Sequence, residues 1–225
     1  MKLKDMIYAV RQSVQTMDAF TANLYLDEQI VDLINEKIEV FVKQEYFKNK
    51  IQLPTGEFEI TKEGLYNLQT LIVIDDITDT YTNDFILNLS ETNENYTFKF
   101  LISVEASIDN LTLDSPVRIV PHDKLTELLR NPFRTTSILS PLGTIQNNEL
   151  KIYVKNRFIV NSLKVTYIKE PSYFDALSLQ SILDSESDLP EHVHSQIVNM
   201  VVQSILEKNE SPRYQQNVNE NILNK

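Results

Sequence analysis

An α+β fold is what this sequence predicts, and three observations predict it. Amphipathic helical spacing fills residues 1–48, two-residue alternation dominates 51–171, and a helical segment returns over 188–208. Helices segregated from a run of strands indicate α+β rather than a parallel α/β sheet. The expected organisation is one domain over residues 1–208, with an antiparallel centre built as a sandwich or barrel-like sheet. An extended C-terminal arm, 209–225, follows it.

Leu3, Met6, Ile7, Val10 and Val14 recur at three- and four-residue spacing, which predicts a helix over Leu3 to Thr16. A break over Asp18 to Asn23 separates it from a longer helix, Asp27 to Phe47. Asp27 suits the N-cap, where a carboxylate accepts an orphan backbone N–H. The apolar stripe of that helix is Ile30, Leu33, Ile34, Ile38, Phe41 and Val42. Pro54-Thr55-Gly56 marks the next turn.

Phe85, Leu87 and Leu89 predict a short strand. Tyr96, Phe98, Phe100, Ile102 and Val104 alternate with Thr97, Lys99, Leu101, Ser103 and Glu105, so the first set is expected to face a core. With Glu91 to Asn95 as turn, the two runs read as a hairpin. Val117 to Val120 is a strand stopped by Pro121. Asp123 to Leu129 is a short helix ended at Asn131-Pro132, because a residue before proline avoids the helical region. Leu150, Ile152 and Val154 follow an Asn147-Asn148 turn. Leu163, Val165 and Tyr167 form the next strand, closed by Pro171, and these two runs read as a second hairpin.

The last helix is expected from Asp188, with Glu191 completing a capping box and Pro190 in the tolerant first turn. Val193, Ile197, Met200, Val201 and Ile205 cover one face, and Val198, Val202 and Leu206 widen it. Two readings account for that width: a deeply buried core helix, or a helix shared between its own core and a neighbouring subunit. On the second reading Val198, Val202 and Leu206 are docking residues. Pro212, Arg213 and Tyr214 join them, as anchors on an arm that orders on assembly. The simpler reading of the arm is a disordered terminus.

The totals exclude several function classes. Lys and Arg number 21 against 32 Asp and Glu, a balance of −11, which disfavours phosphate backbones as the primary ligand. Cysteine is absent, so disulfides, thiolate metal sites and cysteine nucleophiles are ruled out. Gly56, Gly64 and Gly143 are isolated, so no glycine loop cradles a phosphate. The apolar h-region of a signal peptide does not follow Lys2 and Lys4, and no window approaches the roughly 18 apolar residues of a membrane span. No membrane partner and no cofactor are expected.

Catalytic and metal-binding patterns are weak. His192 and His194, two apart on a helix, point in opposed directions and cannot share one ion. Asp75, Asp76, Asp79 and Asp84 crowd one segment but lack the glycine and closing glutamate of a calcium loop. No Gly-x-Ser-x-Gly occurs. A metal-dependent hydrolase using Asp75 and Asp79 is the enzyme alternative; no catalytic residue is otherwise indicated.

Several segments, in order, resemble the ring or connector proteins of crAss-like tailed bacteriophages. They are Leu26-Asp27-Glu28-Gln29-Ile30 with Leu33-Ile34-Asn35-Glu36 and Phe41-Val42-Lys43-Gln44-Glu45-Tyr46; His122-Asp123-Lys124-Leu125 into Asn131-Pro132-Phe133-Arg134; Val165-Thr166-Tyr167-Ile168-Lys169-Glu170-Pro171; and Leu189-Pro190-Glu191-His192-Val193-His194 with Ile197-Val198, ending in Ser211-Pro212-Arg213-Tyr214-Gln215. The resemblance spans most of the chain and is thinnest over Ile51 to Asp114. It implies a non-enzymatic virion subunit, made in the host bacterial cytoplasm, at the head–tail connector. Its copies would close a ring, twelve-fold to match the portal, around a channel that DNA crosses without sequence-specific contact. Its partners would be itself, the portal, and neighbouring ring or tail proteins. A tail-tube or head-completion protein is the nearest alternative.

Overall fold

A computed structural model describes residues 1–17, 25–48, 50–52, 58–60, 62–89, 96–109, 113–176 and 183–208. The fold is α+β, and its contacts gather into two compact units, although the sequence reads 1–208 as one domain. One unit is Met1–Lys48, Glu63–Thr70 and Pro171–Lys225; the other is Asn49–Lys62 and Leu71–Glu170. Among the described residues no helix is long and apolar enough to cross a membrane.

The first unit is helical: α1 (Leu3–Met17), α2 (Asp27–Lys48), the short α3 (Lys62–Asn67) and α5 (Glu191–Lys208). In α1 the buried residues are Leu3, Met6, Ile7, Val10 and Val14, the five that the spacing selects. Two of its orphan N–H groups are satisfied by the segment ahead of the last helix, Leu3 donating to the Ser185 carbonyl and Lys4 to that of Leu183. The Lys4 and Lys2 ammonium groups clasp Asp184, and those hydrogen bonds hold its carboxyl below the ordinary range. The predicted α2 stripe is also buried in full.

Two helix starts differ from expectation. Asp27 is the first residue of α2 rather than its cap, because its carboxylate takes the Arg11 Nε and Nη2 donors. Leu26 occupies the cap position, and the Gln29 side chain accepts the Leu26 N–H at 3.0 Å, the reciprocal half of a capping box. Likewise α5 begins at Glu191, three residues after Asp188. Asp188 instead accepts from the Ser172 N–H at 3.1 Å and its hydroxyl at 2.7 Å. The Asn35 amide completes the lacing, pairing with both the N–H and the carbonyl of Phe174.

The second unit is β-rich. A small pair, β1 (Lys50–Gln52) and β2 (Phe58–Ile60), is antiparallel. The remaining strands are β3 (Ile72–Ile77), β4 (Phe85–Asn88), β5 (Phe98–Ile108), β6 (Ser115–Pro116), β7 (Arg118–Ile119), β8 (Leu142–Gln146), β9 (Glu149–Tyr153) and β10 (Val160–Lys169), with α4 (His122–Arg130) between β7 and β8. They form two sheets, ordered β3-β10-β5-β6 and β4-β9-β8-β7, antiparallel except for β7 beside β8. Leu101, Val104, Leu163, Val165 and Tyr167 from one sheet share a core with Leu150, Ile152, Phe85 and Leu87 of the other. The arrangement is a sandwich; no closed barrel occurs among the described residues.

Both expected hairpins are corrected. β4 pairs with β9, not β5, and β9 pairs with β8 and β4, while β10 pairs with β3 and β5. Alternation fixes which face a strand buries but not its neighbour, and in a sandwich both sheets face inward. The phase of β5 also differs. Its register against β10 slips at Lys99 and at Ile102, and each slip turns the following side chains to the other face. Leu101, expected on the polar side, is therefore buried, whereas Phe100 and Ile102 are half-buried and outside the core cluster.

Turn chemistry holds where backbone angles require it. Asn147 and Asn148 have φ of 53° and 62°, the left-handed pair of a tight hairpin turn, and they join β8 to β9. Lys155 and Asn156 are also left-handed, at the corner where the chain leaves β9 for β10. Asp84 fixes that corner by accepting the N–H groups of Val154 and Lys155 at 2.7 and 2.8 Å. The expected break at Asp18 to Asn23 and the turns at Pro54-Thr55-Gly56 and Glu91 to Asn95 fall outside the described residues, except Asp18 to Asn23's flanking helix ends.

Gly143 in β8 sits under β7. A Cβ there would lie 3.1 Å from Ile119 Cδ1 and 3.1 Å from Val117 Cγ1. Gly143→Val is expected to destabilise the second unit by about 1–3 kcal/mol through overpacking, read as a lower urea midpoint.

Candidate docking surface

Val198, Val202 and Leu206 are 5%, 1% and 0% exposed, so their apolar width is used inside the chain. They stand on α5 with Val193, Ile197, Val201 and Ile205, all buried, and α5 packs along α1 and α2 within the first unit. No partner is needed to account for that surface. Pro212, Arg213 and Tyr214 lie outside the described residues.

The two histidines do diverge. His192 is exposed, stacks on Tyr66 at 4.8 Å between centroids, and its Nε2 donates to Asn67 Oδ1 at 3.1 Å. The Asn67 amide in turn donates to Glu45, a buried carboxylate, at 2.8 Å. His194 is buried. Its Nε2 donates to the Leu189 carbonyl at 3.0 Å, and its Nδ1 has no hydrogen-bond partner among the described residues.

Burial, helped by the N-terminal ammonium, pushes the His194 pKa down; the Leu189 carbonyl, Glu191 and Glu186 oppose it. The folded state therefore resists a proton that the unfolded chain accepts from its ordinary value near 6.5. Stability is level above that pH and falls as pH drops from it towards the lower folded-state value. Urea midpoints at pH 7.5 and 5.5 are expected to differ in the wild type and to converge in His194→Gln.

The clustered acids have separate tasks. Asp75 accepts the phenol hydrogen of the buried Tyr167 at 2.7 Å, and Asp84 holds the β9–β10 corner. Asp79 accepts from the Tyr81 hydroxyl at 3.3 Å, and Asp76 is exposed. Among the described residues no three His, Asp or Glu side chains gather as a metal-ligand set.

The most constructed exposed feature is the loop Asn131–Pro141, which residue spacing alone marks as a helix stop. Phe133 is 96% exposed, Leu139 72% and Ile138 42%. Exposure at that level on a floppy segment would mean little, but this segment is pinned. Thr136, fully buried, donates its hydroxyl to the Tyr153 carbonyl and accepts the Leu142 N–H at 3.3 Å. Asn131 Oδ1 accepts the Phe133 N–H at 3.0 Å, and the Asn131 carbonyl accepts from Arg134 and Thr135. Beneath the loop, Leu125 of α4 packs with Val120, Leu142 and Tyr153.

Cations complete the scaffold. Arg118 Nη2 donates to the Arg134 carbonyl at 2.8 Å, Lys155 Nζ to that of Leu129 at 2.9 Å, and Arg157 Nη1 to that of Thr136 at 3.4 Å. Among the described residues no carboxylate pairs with Arg130, Arg134, Lys155 or Arg157. A rigid apolar tip inside a basic collar is the composition of a protein interface, with an apolar centre and a polar rim. A signal for it exists in the sequence: residues 118–169 hold nine Lys and Arg against three Asp and Glu, a balance of +6 in a chain of −11.

No family model matches the chain, and no curated protein matches it closely enough to count as a relative.

Proposed function

We propose that this chain is a structural subunit of a tailed-phage virion, without enzymatic activity, whose copies form a ring in the portal–tail connector that DNA crosses. The observation that carries the reading is the Asn131–Pro141 loop. A segment that leaves Phe133 96% exposed while its backbone is fastened by buried and cationic donors is built to be covered. Asn131-Pro132-Phe133-Arg134, one of the segments that resemble the connector proteins, lies on this loop. The acidic remainder suits a channel wall that a duplex slides past, since like charge keeps DNA from adhering. Twelve copies would match a portal, with the portal and neighbouring ring or tail proteins as further partners and the virion as location.

Negative-stain imaging and mass photometry of the purified chain, alone and with the portal of the same phage, test this reading. Closed rings in either condition are expected, together with the chain's presence in purified virions by mass spectrometry. A monomer in both conditions and absence from virions would overturn it.

A further inference from the structure

We propose that the Asn131–Pro141 loop of one copy docks on the outer face of β3 of a second copy, around Ile74, Asp76 and Asp79. The proposal rests on the assembly reading above and adds where the copies meet.

The loop specifies its partner by two properties. Phe133 and Leu139 require an apolar counter-surface. The collar of Arg130, Arg134, Lys155 and Arg157, without carboxylate partners among the described residues, requires an acidic one. This chain provides acid in excess: outside residues 118–169 it carries 12 Lys and Arg against 29 Asp and Glu. A second copy therefore has the complementary charge.

The face of β3 joins both properties. Val73 and Ile77 pack into the sandwich, so the intervening Ile74 and Asp76 point to the other side. Ile74 is 59% exposed, Asp76 and Asp79 are exposed, and β3 is the edge strand of its sheet. Ile74 and Asp76 share that face of the edge strand, with Asp79 two residues past its end; Lys164, opposite Asp76 on β10, lies 3.7 Å from Asp114, which leaves an apolar and acidic patch to match an apolar tip with a basic collar. The two patches are different surfaces of one chain, so the contact is heterologous, the kind that closes a ring by repeated rotation. Phosphates would also suit the collar, but Leu139 and Ile138 add nothing to a backbone contact, and the acidic remainder repels a duplex. Protein is the favoured occupant.

Charge exchange on the full chain tests the contact. Arg130→Glu with Arg134→Glu reverses the loop, and Asp76→Lys with Asp79→Lys reverses the strand; all four side chains are exposed, and unchanged melting curves verify the fold. Sedimentation velocity at low salt is expected to show association weakened roughly tenfold or more in each variant alone. An equimolar mixture is expected to regain it, because every loop then meets a strand of opposite charge. If the wild type associates and the reversals do not weaken it, or the mixture gives no recovery, the contact is wrong while the assembly reading stands. If loop reversal leaves association intact but abolishes retention on linear double-stranded DNA, the collar is a nucleic-acid surface and the proposal is overturned. A wild type that stays monomeric alone and with the portal defeats both.

Discussion

Leu206→Ala is expected to lower the unfolding free energy of the first unit by about 2–5 kcal/mol, the range for a leucine removed from a close-packed core. The residue is fully buried, on a helix whose apolar side chains are turned into the same unit. Truncation removes transfer free energy and leaves a cavity that α1 and α2 fill only in part. The measurement is a urea titration of dilute monomer followed by circular dichroism. A docking residue would behave in the opposite way: the monomer's midpoint would hold and only association would weaken. An unchanged midpoint would therefore return Leu206 to a partner surface and reopen the same question for Val198 and Val202. Val202→Ala is expected to move the midpoint in the same direction by less, because fewer carbon atoms leave the core.

The contrast between Leu206 and Phe133 shows what was legible in the sequence and what was not. Periodicity reports burial. It selected all five buried residues of α1 and the full stripe of α2, and it placed Leu163, Val165 and Tyr167 on the inward face of β10. It does not report who does the burying, so the width of α5 was open to two explanations. Pairing between strands was not legible either, because Phe85 and Leu87 reach the same core from whichever sheet they join. The slips at Lys99 and Ile102 left no trace in the alternation of β5. Asp27 looked like a cap because caps are judged locally, while Arg11, sixteen residues away, claimed its carboxylate. The loop was missed for a different reason. Pro132 explained Asn131–Arg134 as a helix stop, and one sufficient explanation hid the charge segregation around it.

Thr136→Val is expected to cost the second unit about 2–4 kcal/mol, although it changes almost no volume. The hydroxyl is buried and bonded twice, as donor to the Tyr153 carbonyl and as acceptor of the Leu142 N–H. Both partners belong to buried residues that sit opposite each other on β9 and β8. A methyl group in place of the hydroxyl opens no cavity, yet it takes a hydrogen-bonding partner from both the Tyr153 carbonyl and the Leu142 N–H. Thr136→Ser keeps the hydroxyl and loses one methyl, so its cost is expected near 1 kcal/mol. That ordering separates a hydrogen-bond role from a packing role, because packing alone would make valine the milder change. Hydrogen exchange adds the link to assembly: amides from Ser137 to Ser140 are expected to exchange faster in the valine variant. Arg118 and Arg157 still hold the Arg134 and Thr136 carbonyls, so the loop loosens without being lost. A loosened loop must be re-ordered when it docks, and that entropy is subtracted from binding. The valine variant is therefore expected to associate more weakly than the wild type even where its fold is intact, with Phe133, Ile138 and Leu139 unaltered.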